Sequence, residues 1–148
     1  LDAITKTKPA HAIPMEGFGL ASRGSPRQAP PLATILLVDD DPLVRDVTSA
    51  MLEHHGYAVL EAACGRDALA VIERGEPVDM LLVDFQMPGM NGVAVAEAVT
   101  RARPDMPVLF LTGYGQAAEL NGVKADSIVE KPVRDADLAR RVRASLAA

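Results

Sequence analysis

The sequence predicts an α/β fold, a doubly wound parallel sheet with helices on both faces, and three observations carry that expectation. Apolar runs of strand length, residues 35–38 and 80–83 foremost, alternate with segments of helical period. Strands separated by helical segments pair in parallel through right-handed crossovers, which buries them on both faces and explains why the runs are continuously apolar. The runs also end in polar residues suited to chemistry: Asp39 and Asp40, Asp84, Thr112 and Lys131.

Taken in order, residues 35–38 form a buried strand that stops at Asp39-Asp40-Asp41-Pro42. Asp41 before Pro42 reads as an N-cap followed by the first helical position. Val44, Val47 and Met51 then recur at helical spacing until Gly56 supplies a stop. Residues 57–61 predict a second strand, 66–74 a second helix ending at Gly75, and 78–83 a third strand ending at Asp84. A turn over Met87-Pro88-Gly89-Met90-Asn91-Gly92 leads into a helix at 93–102. A fourth strand is expected at 108–111, a fifth at 127–130 and a last helix at 135–147.

Length and composition bound the rest. The 148 residues, 49% hydrophobic and 24% charged, allow one compact domain. Residues 1–33 hold five of the 11 prolines, four basic residues and two acids, with no sustained apolar period, and read as a flexible tail or linker. Residues 34–148 carry the acidity, 11 basic against 18 acidic side chains within an overall −5, which disfavours a nucleic-acid partner. One cysteine, Cys64, allows no internal disulfide, no zinc-type cluster of Cys and His is spaced for metal, and no run reaches the roughly 20 apolar residues of a membrane helix. No secretion signal opens the chain, so a cytoplasmic setting is expected. Leu1 in place of Met suggests a processed chain or excised fragment, and the end at Ala148, just after the last helix, predicts that no effector domain follows.

In open α/β sheets, ligands bind beyond the carboxyl ends of the strands, where strand order reverses. Three carboxylates, one hydroxyl and one ammonium are predicted to meet there. The carboxylates would repel unless a cation removed the conflict. Oxygen ligands select a hard ion, magnesium or manganese, that bridges to phosphate, and the lysine and threonine then suit phosphoryl oxygens. A carboxylate attacking phosphorus gives an acyl phosphate. Each residue has a plainer reading alone: Asp41 as a cap, Asp84 as a turn residue, Thr112 as a strand-end hydroxyl, Lys131 as a surface lysine. Adjacent Asp39 and Asp40 cannot both cap, and the joint occurrence favours the site. His54 and His55 close the first helix and are expected to be solvated, while Met87 and Met90 are expected to fill packing gaps.

These motifs, Ile35-Leu36-Leu37-Val38-Asp39-Asp40-Asp41-Pro42, Leu81-Leu82-Val83-Asp84 with Met87-Pro88-Gly89-Met90-Asn91-Gly92, Thr112, and Lys131-Pro132, resemble the receiver domain of bacterial two-component response regulators. The likeness covers residues 34–148. It implies a flavodoxin-like five-stranded sheet in the order 2-1-3-4-5 and, residue by residue, Asp84 as acceptor of a phosphoryl group from a histidine kinase or histidine phosphotransfer protein. Asp39, Asp40 and Asp84, with the backbone carbonyl of Gln86, would hold Mg2+ or Mn2+; Thr112 and Lys131 would bind phosphoryl oxygens; Lys131-Pro132 resembles the family's cis peptide. A receiver of this kind is a signalling module with weak self-catalysed phosphorylation and dephosphorylation. It is not an enzyme in its own right.

Departures from the pattern carry their own expectations. Ile128 stands where the family usually has an aromatic switch residue, and Val133 replaces the commoner Phe after Lys-Pro. The spacing of 19 between Thr112 and Lys131, with Gly113, Gly115 and Gly122, predicts a short or mobile fourth helix and an order–disorder signal over residues 113–126. Gln86 and Tyr114 would border the in-line water that hydrolyses the acyl phosphate, and the bulk of Tyr114 predicts slow decay. The run Phe110-Leu111-Thr112-Gly113-Tyr114-Gly115 is similar to a Phe-Ala-Thr-Gly-hydrophobic-Tyr subgroup associated with hybrid kinases or kinases of the HWE type. A single-domain receiver and the receiver of a hybrid kinase both fit. Two other readings compete: a phosphatase of the haloacid-dehalogenase type, whose Asp-x-Asp motif Asp39-Asp40-Asp41 superficially matches although Pro42-Leu43 follow it, and a receiver-like docking module that is never phosphorylated.

Overall fold

The computed structural model describes residues 29–113 and 123–147. Five strands, β1 (Thr34–Val38), β2 (Ala58–Ala62), β3 (Met80–Asp84), β4 (Val108–Thr112) and β5 (Ile128–Glu130), form one parallel sheet in the order β2-β1-β3-β4-β5. Four α-helices connect or follow them among the described residues: α1 (Pro42–His54), α2 (Gly65–Glu73), α3 (Gly92–Ala102) and α4 (Asp135–Ala147). The expected α/β architecture and strand order are observed. Of residues 113–126, where a short or mobile helix is expected, 114–122 lie outside the described residues, Tyr114 among them.

Strand alternation sorts the core into two layers. Leu36, Val38, Leu81 and Val83 face one side and pack with Val71 and Ile72 of α2 and Val95 and Val99 of α3. Their sequence neighbours Ile35, Leu37, Met80 and Leu82 face the other, against Leu52 of α1 and Leu138 and Val142 of α4. Leu36, Leu37, Leu81 and Leu82 are fully buried, each stabilising the fold by about 1.5–3 kcal/mol.

Local chemistry sets the ends of the elements. Asp41 caps α1, its carboxylate accepting from the N–H groups of Leu43 and Val44 with Pro42 in the first turn. Gly56 ends the helix with φ +96°, a conformation glycine adopts without a Cβ penalty. Several boundaries differ from expectation by one or two residues. The N–H of Tyr57 goes to the carbonyl of Leu52 at the end of α1, so the second strand starts at Ala58. The third starts at Met80, because the ladder to Ile35 begins there and the Asp79 carboxylate takes the N–H of Thr34 at its edge. Ser127 belongs to a 3-10 turn, Ala125–Ser127, that precedes β5.

Candidate functional site

The strand order reverses between β1 and β3, and beyond their carboxyl ends the sheet opens a cleft. Asp39 follows β1 and is completely buried; Asp84 ends β3 and is 5% exposed; Thr112 ends β4 and is completely buried. Lys131 follows β5, its N–H donating to the carbonyl of Thr112 at 2.7 Å. Its ammonium stands 3.3 Å from Asp84 Oδ1 and 3.5 Å from Asp39 Oδ2. The peptide bond from Lys131 to Pro132 is cis. Asp40 is exposed at the rim, and one oxygen from each of Asp39, Asp40 and Asp84 lies within 4.8 Å of the others. The sheet thus brings all five predicted side chains to one edge.

Backbone geometry holds the acids in place. The Asp39 N–H extends the β1–β2 ladder to the carbonyl of Ala62, while its Oδ1 accepts the N–H of Asp41 at 2.9 Å. On the other side, Gly92 opens α3 directly against β3: its N–H donates to the carbonyl of Phe85, and a Cβ there would lie 2.4 Å from the carbonyl oxygen of Asp84 and 2.9 Å from Phe85 Cα. Only a residue without a Cβ permits this approach. The turn between them buries Met87 and leaves Met90 at the surface against Gly65, so the expectation of packing holds for Met87 and only in part for Met90.

Two polar atoms are buried without a hydrogen-bond partner at this edge, Asp39 Oδ2 and Thr112 Oγ1. Asp39 Oδ2 still faces the Lys131 ammonium at 3.5 Å, whereas a buried hydroxyl without a partner costs about 1–3 kcal/mol, which folded proteins accept where a ligand will satisfy the group. The Asp84 carboxyl is pushed up to about 6, first by its burial and then by the charge of Asp39; the Lys131 ammonium and the Gln86 N–H oppose the rise. Charge is therefore crowded. A hard cation fits this donor set, since it would meet Asp39 Oδ2 and relieve the carboxylates together. Gln86 is exposed and gives Asp84 its backbone N–H.

Other sequence expectations met mixed outcomes. Asp41 caps α1, as expected. His55 is not simply solvated, because its Nε2 lies 3.1 Å from both oxygens of Asp135 and links the end of α1 to the start of α4. Ile128 is half-buried, opposite Phe110 in the β4–β5 register, and packs on the layer of Leu36 and Val38. Sequence reasoning missed Arg45 and Glu61, an ion pair beside Asp39. The signal was a glutamate inside the apolar strand run Ala58-Val59-Leu60-Glu61-Ala62.

Comparison with known proteins agrees with this geometry. The family model described as response regulator receiver domain matches residues 35–143. The transcriptional regulatory protein YvrH of Bacillus subtilis is 36% identical over 118 residues, 77% of this chain and 49% of that protein. The sensor kinase CckA of Brucella abortus is 35% identical over 118 residues, 77% of this chain but 12% of the kinase. A CheY-like response regulator receiver domain protein from Methanospirillum hungatei superposes with a TM-score of 0.70 at 34% identity, over 78% of this chain and 94% of that one. The chain spans about half the length of YvrH and of the phosphate regulon transcriptional regulatory protein PhoB of Pseudomonas aeruginosa.

Proposed function

Because the chain belongs to the response regulator receiver family, a phosphoacceptor family of two-component signalling, we propose that Asp84 accepts the phosphoryl group from a phosphohistidine. Residues 34–148 form the receiver and residues 1–33 its tail or linker. The N–P bond of the donor breaks as an Asp84 oxygen bonds to phosphorus; the imidazole nitrogen leaves with the electron pair and takes up a proton. Asp39, Asp40, Asp84 and the Gln86 carbonyl would hold a magnesium or manganese ion, which when bound would offset the charge of the phosphoryl oxygens. Lys131 pairs with one of those oxygens and the Thr112 hydroxyl donates to another. The buried, unpartnered Oγ1 of Thr112, at the same strand-end edge as the Asp84–Lys131 pair, is the observation that carries this reading. With its carboxyl near 6, Asp84 is mostly ionised at neutral pH and able to attack.

The donor is a histidine kinase or histidine phosphotransfer protein of the cytoplasm. A groove of about 280 Å³ lies beside Lys131, walled by Val44, Pro132 and Val133 and edged by Leu43 and Val47, which are 71% and 49% exposed. An apolar surface reaching Lys131, which pairs with Asp84, suits a donor that must bring its phosphohistidine to Asp84. Both a stand-alone receiver and the receiver of a hybrid kinase agree with this surface, and the likeness to a sensor kinase supports the second. Formation and slow hydrolysis of the acyl phosphate are weakly self-catalysed by the same residues.

The test is the chemistry of the modified group. Incubation with a small acyl-phosphate donor and Mg2+ should load one phosphoryl group per chain, and neutral hydroxylamine should remove it, as expected of an acyl phosphate. A label resistant to hydroxylamine would contradict an aspartyl acceptor. Release of many equivalents of phosphate from simple esters would instead favour the phosphatase reading.

A further inference from the structure

Beside the proposed cation site lies a charged pair that the phosphoryl chemistry does not use. Arg45, in the first turns of α1, places its Nε 3.2 Å from Oε1 of Glu61 on β2, with side chains only 13% and 6% exposed. The same guanidinium donates through Nη1 to the backbone carbonyl of Asp39 at 2.6 Å. Asp39 is thereby fastened at three points: its N–H by Ala62, its carbonyl by Arg45, and its Oδ1 by the N–H of Asp41. Oδ2 accepts no hydrogen bond and faces the Lys131 ammonium at 3.5 Å.

Resting on the reading of this edge as a cation site, we infer that Arg45 and Glu61 are positioning residues for divalent-cation binding. The hydrogen bond to the Asp39 carbonyl fixes the peptide plane between Asp39 and Asp40, and with it the relative aim of both carboxylates. The pairing also solves an electrostatic problem. A lone buried guanidinium next to three acids would repel the incoming ion, whereas Glu61 cancels its charge and leaves the donor geometry in place. Groups that hold metal ligands without touching the metal commonly set affinity by about 10- to 100-fold.

A double variant, Arg45→Met with Glu61→Leu, isolates geometry from charge, because replacing a buried ion pair with apolar residues of similar volume is often neutral for stability. Its Mn2+ dissociation constant, read by the loss of the free-ion electron paramagnetic resonance signal, is compared with wild type and with Arg103→Met. Arg103 likewise donates to a backbone carbonyl, that of Ile72, but away from the cleft. The expected result is Mn2+ binding weakened about tenfold or more in the double variant and unchanged in Arg103→Met. Wild-type affinity in a folded double variant overturns the inference, as does equal weakening in Arg103→Met. Should the double variant fail to melt cooperatively, Glu61→Gln replaces it, with the same expected direction and the same overturning result. Absence of Mn2+ binding in the wild type would overturn the cation site itself and this inference with it; wild-type binding together with an unaffected variant overturns the inference alone.

Discussion

Asp84, the proposed phosphoryl acceptor, is buried at a cost. Its carboxyl titrates near 6 in the fold, against about 4 in an unfolded chain, so between these values the folded state holds the extra proton. Stability from this group is therefore present below about pH 4 and is lost as pH rises through 6. At neutral pH the penalty is on the order of 3 kcal/mol. Asp84→Asn, which cannot ionise, should raise the Tm of the metal-free protein by several degrees at pH 7.5, with the gain shrinking as pH approaches 4. Thermal melts in chelator across that range check it; a lower Tm for the variant at pH 7.5 would contradict the burial penalty. Thr112 gives a complementary case. Its buried hydroxyl has no partner, so Thr112→Val should leave Tm unchanged or slightly higher while slowing phosphoryl loading. A Tm drop equivalent to more than about 1 kcal/mol would show that the hydroxyl is satisfied within the fold.

Elements deliver these residues through contacts that differ in how plainly the sequence announces them. Strands β1, β3 and β4 were legible because each carries a continuous apolar run, and the cap at Asp41 because Asp-Pro opens α1. The start of β2 was not, since the N–H of Tyr57 is taken by the end of α1 and composition does not reveal that choice. Nor was the His55–Asp135 link legible, because its partners lie 80 residues apart and each has an ordinary role at a helix end. The pair is exposed, so Asp135→Asn should cost less than about 1 kcal/mol. Gly92 is the more demanding position. Gly92→Ala places a methyl 2.4 Å from the Asp84 carbonyl oxygen, so α3 must move off β3. The expected loss is about 1–3 kcal/mol, seen as a lowered denaturation midpoint, together with slower loading of Asp84. A midpoint equal to wild type would mean that the turn from Phe85 to Asn91 absorbs the methyl freely. On α1, Val47→Asp should slow transfer from a phosphohistidine donor and leave loading by a small acyl phosphate unchanged, and rates with the two donors separate docking from chemistry.

Across the whole molecule, the sheet does two jobs with one pattern. Alternate residues of β1 and β3 fill two apolar layers, and the polar residues at the strand ends, which those layers exclude, collect at the edge where strand order reverses. That edge was legible in the sequence because strand ends in a parallel α/β sheet share one side, whatever the loops between them do. The Arg45–Glu61 pair was not, because it joins a helix to a strand and follows from packing that periodicity does not encode. Whether the crowded edge receives a phosphoryl group on Asp84 is decided by peptide mapping after incubation with a small acyl phosphate, with Mg2+ and with chelator. One phosphoryl group is expected on the peptide containing Asp84, absent in chelator and absent in Asp84→Asn. Modification at another residue, or an equal load on Asp84→Asn, would contradict it.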